Sequence, residues 1–271
     1  MNKNKFGLKN SLVFITMSLL AVVMLFPFIF MIGTSFKSKE QYFGAPGHSL
    51  SSWHNLFKAL PVGRQLLNST LVCAGAISII LLVATMAGFA LAKLRSKASP
   101  YLFLGIVGAM LIPLQSIIIP AYINASKLNL LSGYWGAIFV YAALGTPFAT
   151  FLMTSYFRGI PDDLVEAAVV DGLSYGAVFR KIAMPLAVPA VITVIVLQFI
   201  QIWDDLLVGL LFIQDPNYRT ITVGLGALSA GRVTDIPVLM AGSLISAIPA
   251  VVVYLIFQRQ LVNGLTAGIG K

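Results

Sequence analysis

The chain has 271 residues, of which 58% are hydrophobic and only 10% charged, and its mean hydropathy is +0.92. Soluble domains carry about 25% charged residues, so a mostly water-facing surface is excluded and lipid is the solvent for much of this chain. The formal charge of +9 does not then point to nucleic acid, because Lys and Arg of membrane proteins gather in short cytoplasmic loops and set orientation.

A helix that crosses a bilayer needs about 20 mainly apolar residues and must satisfy its own backbone hydrogen bonds. Runs without Lys, Arg, Asp or Glu give six expected spans, near 11–34, 70–92, 101–124, 135–156, 186–211 and 237–257. The first follows Lys3, Lys5 and Lys9, as a signal peptide would. Its apolar stretch is too long for one and no small-residue cleavage site follows, so it reads as an uncleaved helix. With the N-terminus inside, 11 basic residues fall on the inner side and 7 on the outer. Four of the outer ones, Lys37, Lys39, Lys58 and Arg64, sit in one long connection that weighs less. Both termini are therefore expected in the cytoplasm.

The long outer connection 36–67 carries Pro46, Gly47, Trp53 and His54 and reads as a structured segment against the membrane. His48 and His54 read as interfacial polar residues, and Cys73 as a small buried apolar one; no metal site is expected. Neither an internal repeat nor a soluble domain is evident. Residues 1–271 are expected to form a single all-α transmembrane domain.

The inner connection from Arg158 to Pro189 is longer than a linker needs to be. Four of the chain's nine acidic residues, Asp162, Asp163, Glu166 and Asp171, fall within it. Pro161 suits a first helical turn, and Asp162 and Asp163 complement the positive end of a helix dipole. Leu164, Val165, Ala168 and Val169 recur at helical spacing with Glu166 beside them. Gly172 can take φ > 0 and stop that helix. Ser174 can cap a second one carrying Val178, Phe179 and Ile182, which Pro185 and Pro189 end. The expectation for 158–185 is two short helices with a bend, a knob projecting below the bilayer. A helix resting on headgroups is the other reading, but such helices favour Lys and Arg, and none occurs between Arg158 and Arg180.

Glu166-Ala167-Ala168, Gly172, Ile182 and Met184-Pro185 resemble the E-A-A loop of ABC importer permeases. The family has Leu where this chain has Met184, and commonly Ala where it has Leu173. The resemblance implies a type I importer permease with six transmembrane helices, whose loop is the coupling helix that docks on an ATP-hydrolysing subunit. It assigns polar docking contacts to Glu166 and Asp171, the turn to Gly172 and a close-packed face to Ala167 and Ala168. Phe179 and Pro185 belong to the same coupling element. The implied partners are a second, different permease, an ATPase dimer that holds ATP and Mg, an extracytoplasmic solute-binding protein and membrane lipid. This chain would bind no cofactor and no nucleic acid and catalyse no reaction, as a subunit of a bacterial-type inner membrane.

Further stretches are similar to carbohydrate importers of maltose-transporter type. They are Trp203-Asp204-Asp205, where the family often has Trp-Asn-Asp; Asp215 to Thr220; Ile112-Pro113-Leu114-Gln115 through Pro120, with 128–134 following; and the tail Gln258 to Gly268. This resemblance implies a sugar or oligosaccharide as cargo. The same architecture carrying a polyol or glycerophosphate compound is an alternative. A secondary transporter is another, but it would usually show more spans or a repeat.

Gln198, Gln201 and Asp205 share one helical face, and polar groups at membrane depth face a cavity or the bundle interior. They either line a sugar pathway, with Gln115 and Asn124 of the third span, or hold helices together. The tail Gly264 to Lys271 lacks the spacing of a phosphate-binding loop. By resemblance its Thr266 and Gly268 reach the ATPase.

Overall fold

The computed structural model describes residues 4–94, 96–231 and 235–267, with side chains from 10 to 260 among them. All regular structure among the described residues is helical. The chain divides into two compact units, one built from residues up to Val62 with Ala227–Ala247, the other from Gly63–Gly226 with the residues from Ile248 on.

In the first unit, α1 (Asn4–Ser35) carries an apolar stretch from Asn10 to Ser35 whose most apolar part is unburied, as suits a helix solvated by lipid, while Thr34 and Ser35 at its end are buried. The connection after it is ordered by local polar chemistry. Ser38 Oγ accepts from the Gln41 N–H at 3.3 Å while the Ser38 N–H donates to Gln41 Oε1 at 2.8 Å, a reciprocal cap on the short α2 (Lys39–Tyr42). In α3 (Ser51–Ala59), Ser52 and Leu56 are buried and Phe57 is exposed. The Ser52 hydroxyl donates to the Lys37 carbonyl, and Trp53 packs 5.8 Å from Phe36.

The second unit begins with α4 (Val62–Lys93), 32 residues without a proline. It starts eight residues ahead of the expected span, because Arg64, Gln65 and Asn68 continue the helix beyond the apolar run. The expected third span is not one helix. It is α5 (Ser99–Ala109) and α6 (Leu114–Lys127), bent by 93°. Pro113, at φ −70° and ψ 140°, has no N–H to continue α5 and disfavours helical geometry at Ile112. Asn129 takes the left-handed conformation at φ 56° beyond α6, a helix stop that Asn tolerates. The chain then enters α7 (Trp135–Arg158), where the Arg158 guanidinium lies 4.4 Å over the ring of Phe103 on α5.

After α7 come α8 (Asp162–Val170), α9 (Tyr175–Val178), a wide π-helical turn at Phe179–Ala183, and α10 (Met184–Leu186). A 73° bend leads into α11 (Val188–Asp204). Pro185 and Pro189 explain both irregularities. Pro185 cannot donate to the Lys181 carbonyl and its ring crowds that group, so the turn widens. Pro189 then removes the next donor, and the helix breaks at Ala187. The expected fifth span, to Leu211, ends instead at Asp204 and resumes as α12 (Leu207–Phe212). A 3-10 turn at Pro216–Tyr218 leads to α13 (Ile221–Ser229), and α14 (Ile236–Ala267) closes the described chain. Among the described residues four helices are long and apolar enough to cross a membrane, or six when each bent pair counts as one span.

The packing of α4 against α7 depends on Gly88. A Cβ there would lie 2.9 Å from Met153 Cβ and 3.0 Å from the Thr154 backbone nitrogen, atoms that cannot swing away. Gly105 on α5 faces open space. Gly88→Ala is therefore expected to destabilise the detergent-purified protein by about 1–3 kcal/mol and Gly105→Ala to leave it unchanged, as read from thermal melting; equal melting of the two variants would contradict this packing.

Candidate functional site

The knob between α7 and α11 begins with Pro161 at φ −55° and ψ 134°, extended geometry that starts α8 cleanly. Asp162 and Asp163 occupy the first turn, against the positive end of the helix. Asp171 ends α8, and Gly172 follows at φ +89°. The Gly172 N–H donates to the Val169 carbonyl and the Leu173 N–H to the Ala168 carbonyl, both at 3.0 Å, the two bonds of a Schellman stop. Ser174 then caps α9, its hydroxyl accepting from the Ala177 N–H at 3.4 Å.

Burial sorts the residues of this bend. Val165, Ala168, Val178 and Ala183 are turned inward and buried. Glu166, Ala167, Val170, Asp171 and Gly172 form the outer face, and Val170 is 86% exposed. Three sequence-based expectations shift here. Leu164 is exposed rather than part of a four-residue apolar stripe, because α8 buries only the i, i+3 pair Val165 and Ala168. Ala168 faces the chain's own interior, so Ala167 alone of the alanine pair lies on the outer face. Phe179 also turns inward: its ring lies 5.3 Å from Phe89 and 6.5 Å from Phe157. Pro185 stays exposed and acts through the backbone.

Lys93, one of the 11 basic residues counted on the inner side, anchors the knob. It ends α4 with its side chain 3% exposed. Its Nζ donates to the Ile160 carbonyl at 2.5 Å and to Asp162 Oδ1 at 2.6 Å. A buried ammonium is tolerated when an opposite charge and further acceptors satisfy it. One turn earlier, Phe89 packs edge-on against Phe157 at 5.7 Å. Lys93, Asp162, Val165, Glu166 and Tyr175 together line a small cleft of about 90 Å³. The sequence signal for this anchor was weak, since a Lys ending an apolar run is also the ordinary pattern of a cytoplasmic loop.

The polar residues expected along a pathway are not gathered into one cavity. Gln198 is buried, its amide pressed against Gly145 of α7. Asp205 accepts from the Tyr141 hydroxyl at 2.9 Å and the Val208 N–H at 2.8 Å, which caps α12 across the break after α11. Gln201 is exposed, as are Gln115 and Asn124 on α6. The apolar cavity of about 400 Å³ beside Val83, Tyr101, Gly105 and Pro147 contains none of the five. Thr266 lies on α14, but its side chain and Gly268 fall outside the described residues.

At the other end of α4 a polar cluster holds the segment Asp215–Ile221. Asn68 is buried; its amide donates to the Asn217 carbonyl at 3.0 Å and the Arg219 carbonyl at 2.9 Å, and its oxygen accepts from the Tyr134 hydroxyl at 2.7 Å. Ser69 Oγ accepts from the Ile221 N–H at 3.0 Å, and Arg64 donates to Asn217 Oδ1 at 3.1 Å. The Tyr134 and Tyr218 rings meet edge-to-face at 4.9 Å. Burial, with Tyr218 beside it, raises the Tyr134 phenol above its ordinary range. Asn68 escaped the sequence reading because this end of α4 was taken as loop.

Known proteins resemble this chain in sequence, and solved structures resemble it in fold. The sulfoquinovosyl glycerol transport system permease protein of Agrobacterium fabrum is 32% identical, over 94% of this chain and 92% of that one. The trehalose/maltose transport system permease protein of Thermococcus litoralis is also 32% identical, over 97% of this chain and 98% of that one. Among solved structures, a chain of a bacterial ABC transporter involved in the import of the acidic polysaccharide alginate has a TM-score of 0.81 at 20% identity, covering 96% of this chain and 98% of that one. It shares the type I importer permease fold. Residues 80–266, which contain the whole knob, match the family described as binding-protein-dependent transport system inner membrane component, and the chain belongs to that family: it is a multi-pass, non-catalytic permease subunit of an ABC importer.

Proposed function

We propose that the whole chain acts as one permease subunit that forms half of a transmembrane pathway for a sugar or oligosaccharide. Cargo arrives from an extracytoplasmic solute-binding protein, and a partner ATPase drives its release inward. The observation that carries this reading is the knob, where Glu166, Ala167, Val170, Asp171 and Gly172 stand exposed on a bend whose other side is buried. An exposed ridge with small residues at its crest and carboxylates beside them fits a cleft that offers hydrogen-bond donors. Neither a membrane surface nor water requires that combination. ATP and Mg are held by the partner, and this chain hydrolyses nothing. The knob and both termini face the cytoplasm, as the distribution of basic residues directs. The second permease subunit is a different chain. The carbohydrate assignment follows the named relatives, whose cargo names contain a sulfoquinovosyl group and the disaccharides trehalose and maltose.

In the pathway, Gln115, Asn124 and Gln201 are the exposed amides able to meet sugar hydroxyls. Gln198 and Asp205 act from behind, fixing α11 against α7 and α12. Thr266 and Gly268 of the tail are assigned to the ATPase side.

Tagged protein is expected to co-purify with an ATPase subunit. Glu166→Ala should weaken that association about tenfold, the size of one truncated interface contact, and Glu166→Ala with Gly172→Pro should abolish it; an unchanged complex would remove the docking assignment. Gly172→Val places a β-branched side chain at φ +89° and should cost about 1–2 kcal/mol, visible as lower melting and weaker association together. With Cys73 replaced by Ala, a cysteine at the exposed Tyr175 should react with a membrane-impermeant maleimide in inside-out vesicles and not in intact cells. The reverse pattern would invert the topology.

A further inference from the structure

Helix α4 is tied at both ends to segments that are otherwise far apart in the chain. Its inner end holds the knob twice. Lys93 Nζ reaches the Ile160 carbonyl and Asp162 at the start of the knob, and Phe89 packs on Phe179 at its end. Its outer end holds Asp215–Ile221 through Asn68 and Ser69. Between these ends α4 is unbroken over 32 residues, a rod of about 48 Å at 1.5 Å per residue. Gly88 presses it against the backbone of α7 near its inner end.

The other routes out of the knob are mechanically softer. Towards α11 the chain passes a π-helical turn and a 73° break, and α7 contains Pro147. Irregular turns and proline sites are where helices bend. The chemistry at the two ends of α4 is directional as well. A buried ammonium on a carbonyl, and a buried amide on two carbonyls, are bonds that strengthen as surrounding dielectric falls, and Asp162 reaches the same ammonium from the solvent side, its side chain 61% exposed. A shift of the knob therefore either breaks such bonds or drags α4 with it. Simple filling of space at the end of α4 would need only an apolar side chain.

We propose that α4 is the strut that carries movement of the knob to the outer segment Asp215–Ile221, with Lys93 and Asn68 as the positioning residues at its inner and outer ends. The inference rests on the reading of the knob as the ATPase-docking element. It adds a route for the motion, a charged joint at one end of that route, and an outer segment as its destination.

The test uses the full chain with its co-purified ATPase, Cys73 replaced by Ala, and a reporter cysteine at the exposed Pro216. Labelling by an impermeant maleimide is compared without nucleotide and with ATP plus vanadate. The parent should show a nucleotide-dependent change in labelling rate. The double variant Lys93→Met/Asp162→Asn leaves no charge of this pair unmatched and should still co-purify with the ATPase, yet the nucleotide-dependent change should shrink about tenfold, in the range of one lost coupling contact. Lys93→Arg should restore it, and Asn68→Leu should lose it independently. If the double variant keeps the ATPase and the full labelling change, or if Arg fails to restore what Met removes, the strut is wrong while the docking reading stands. If the parent itself brings down no ATPase, the docking reading fails and the strut with it. If the double variant does not assemble, Asn68→Leu decides alone, and a full labelling change in it overturns the proposal.

Discussion

The constraint on which this structure depends is that a backbone in hydrocarbon has no water to complete its hydrogen bonds. Uninterrupted helices meet it over most of the length. Among the residues that cannot meet it, Pro27, Pro120, Pro147 and Pro249 stay within helices, while others mark where the chain turns. Pro113 separates α5 from α6, and Pro185 with Pro189 separates the knob from α11. The bend of greatest functional weight, between α8 and α9, contains no proline and turns on Gly172 at positive φ. Its polar groups are satisfied locally, by the two Schellman bonds and the Ser174 cap.

A knob built this way has little core of its own. Its inward side chains are few, and its position is set by a handful of buried contacts from α4 and α7. Charge does a share of that work that packing alone would not. The Lys93 ammonium joins the end of one span to the first turn of α8, and the Phe89, Phe157 and Phe179 rings close the space beside it. The outer face is exposed, with carboxylates and small residues on it, and Glu166 also borders the cleft beside Lys93. A surface that must meet another protein repeatedly, and stay rigid while doing so, has these properties.

The polar residues within the bundle divide by a similar logic. Asp205 spends both of its hydrogen bonds on a helix break and a neighbouring tyrosine. Gln198 is walled in against Gly145. Their spacing left a pathway and a packing role both open, and the contacts of these two are with neighbouring helices. Gln115, Asn124 and Gln201 keep exposed amides and carry what remains of the pathway reading.

Sequence alone determined the lipid environment, the approximate apolar runs, and the knob with its proline and glycine punctuation. Each of these rests on local chemistry: hydropathy over a window, a missing N–H, a residue free to take φ > 0. Periodicity placed Val165 and Ala168 on one face, but it could not say that Leu164 and Val169 would be left out, because the width of a buried stripe depends on what packs against it. The breaks at Pro113 and Ala187 were written in the residues, yet their angles of 93° and 73° were decided by where α6 and α11 find partners. The tertiary structure alone revealed the anchors. Lys93 meets Asp162 across 69 positions and Asn68 meets Asn217 across 149, and no local pattern brings such residues together. Only the packing of α4 against α7 and the following segments gave a buried lysine its carboxylate and a buried asparagine its carbonyls.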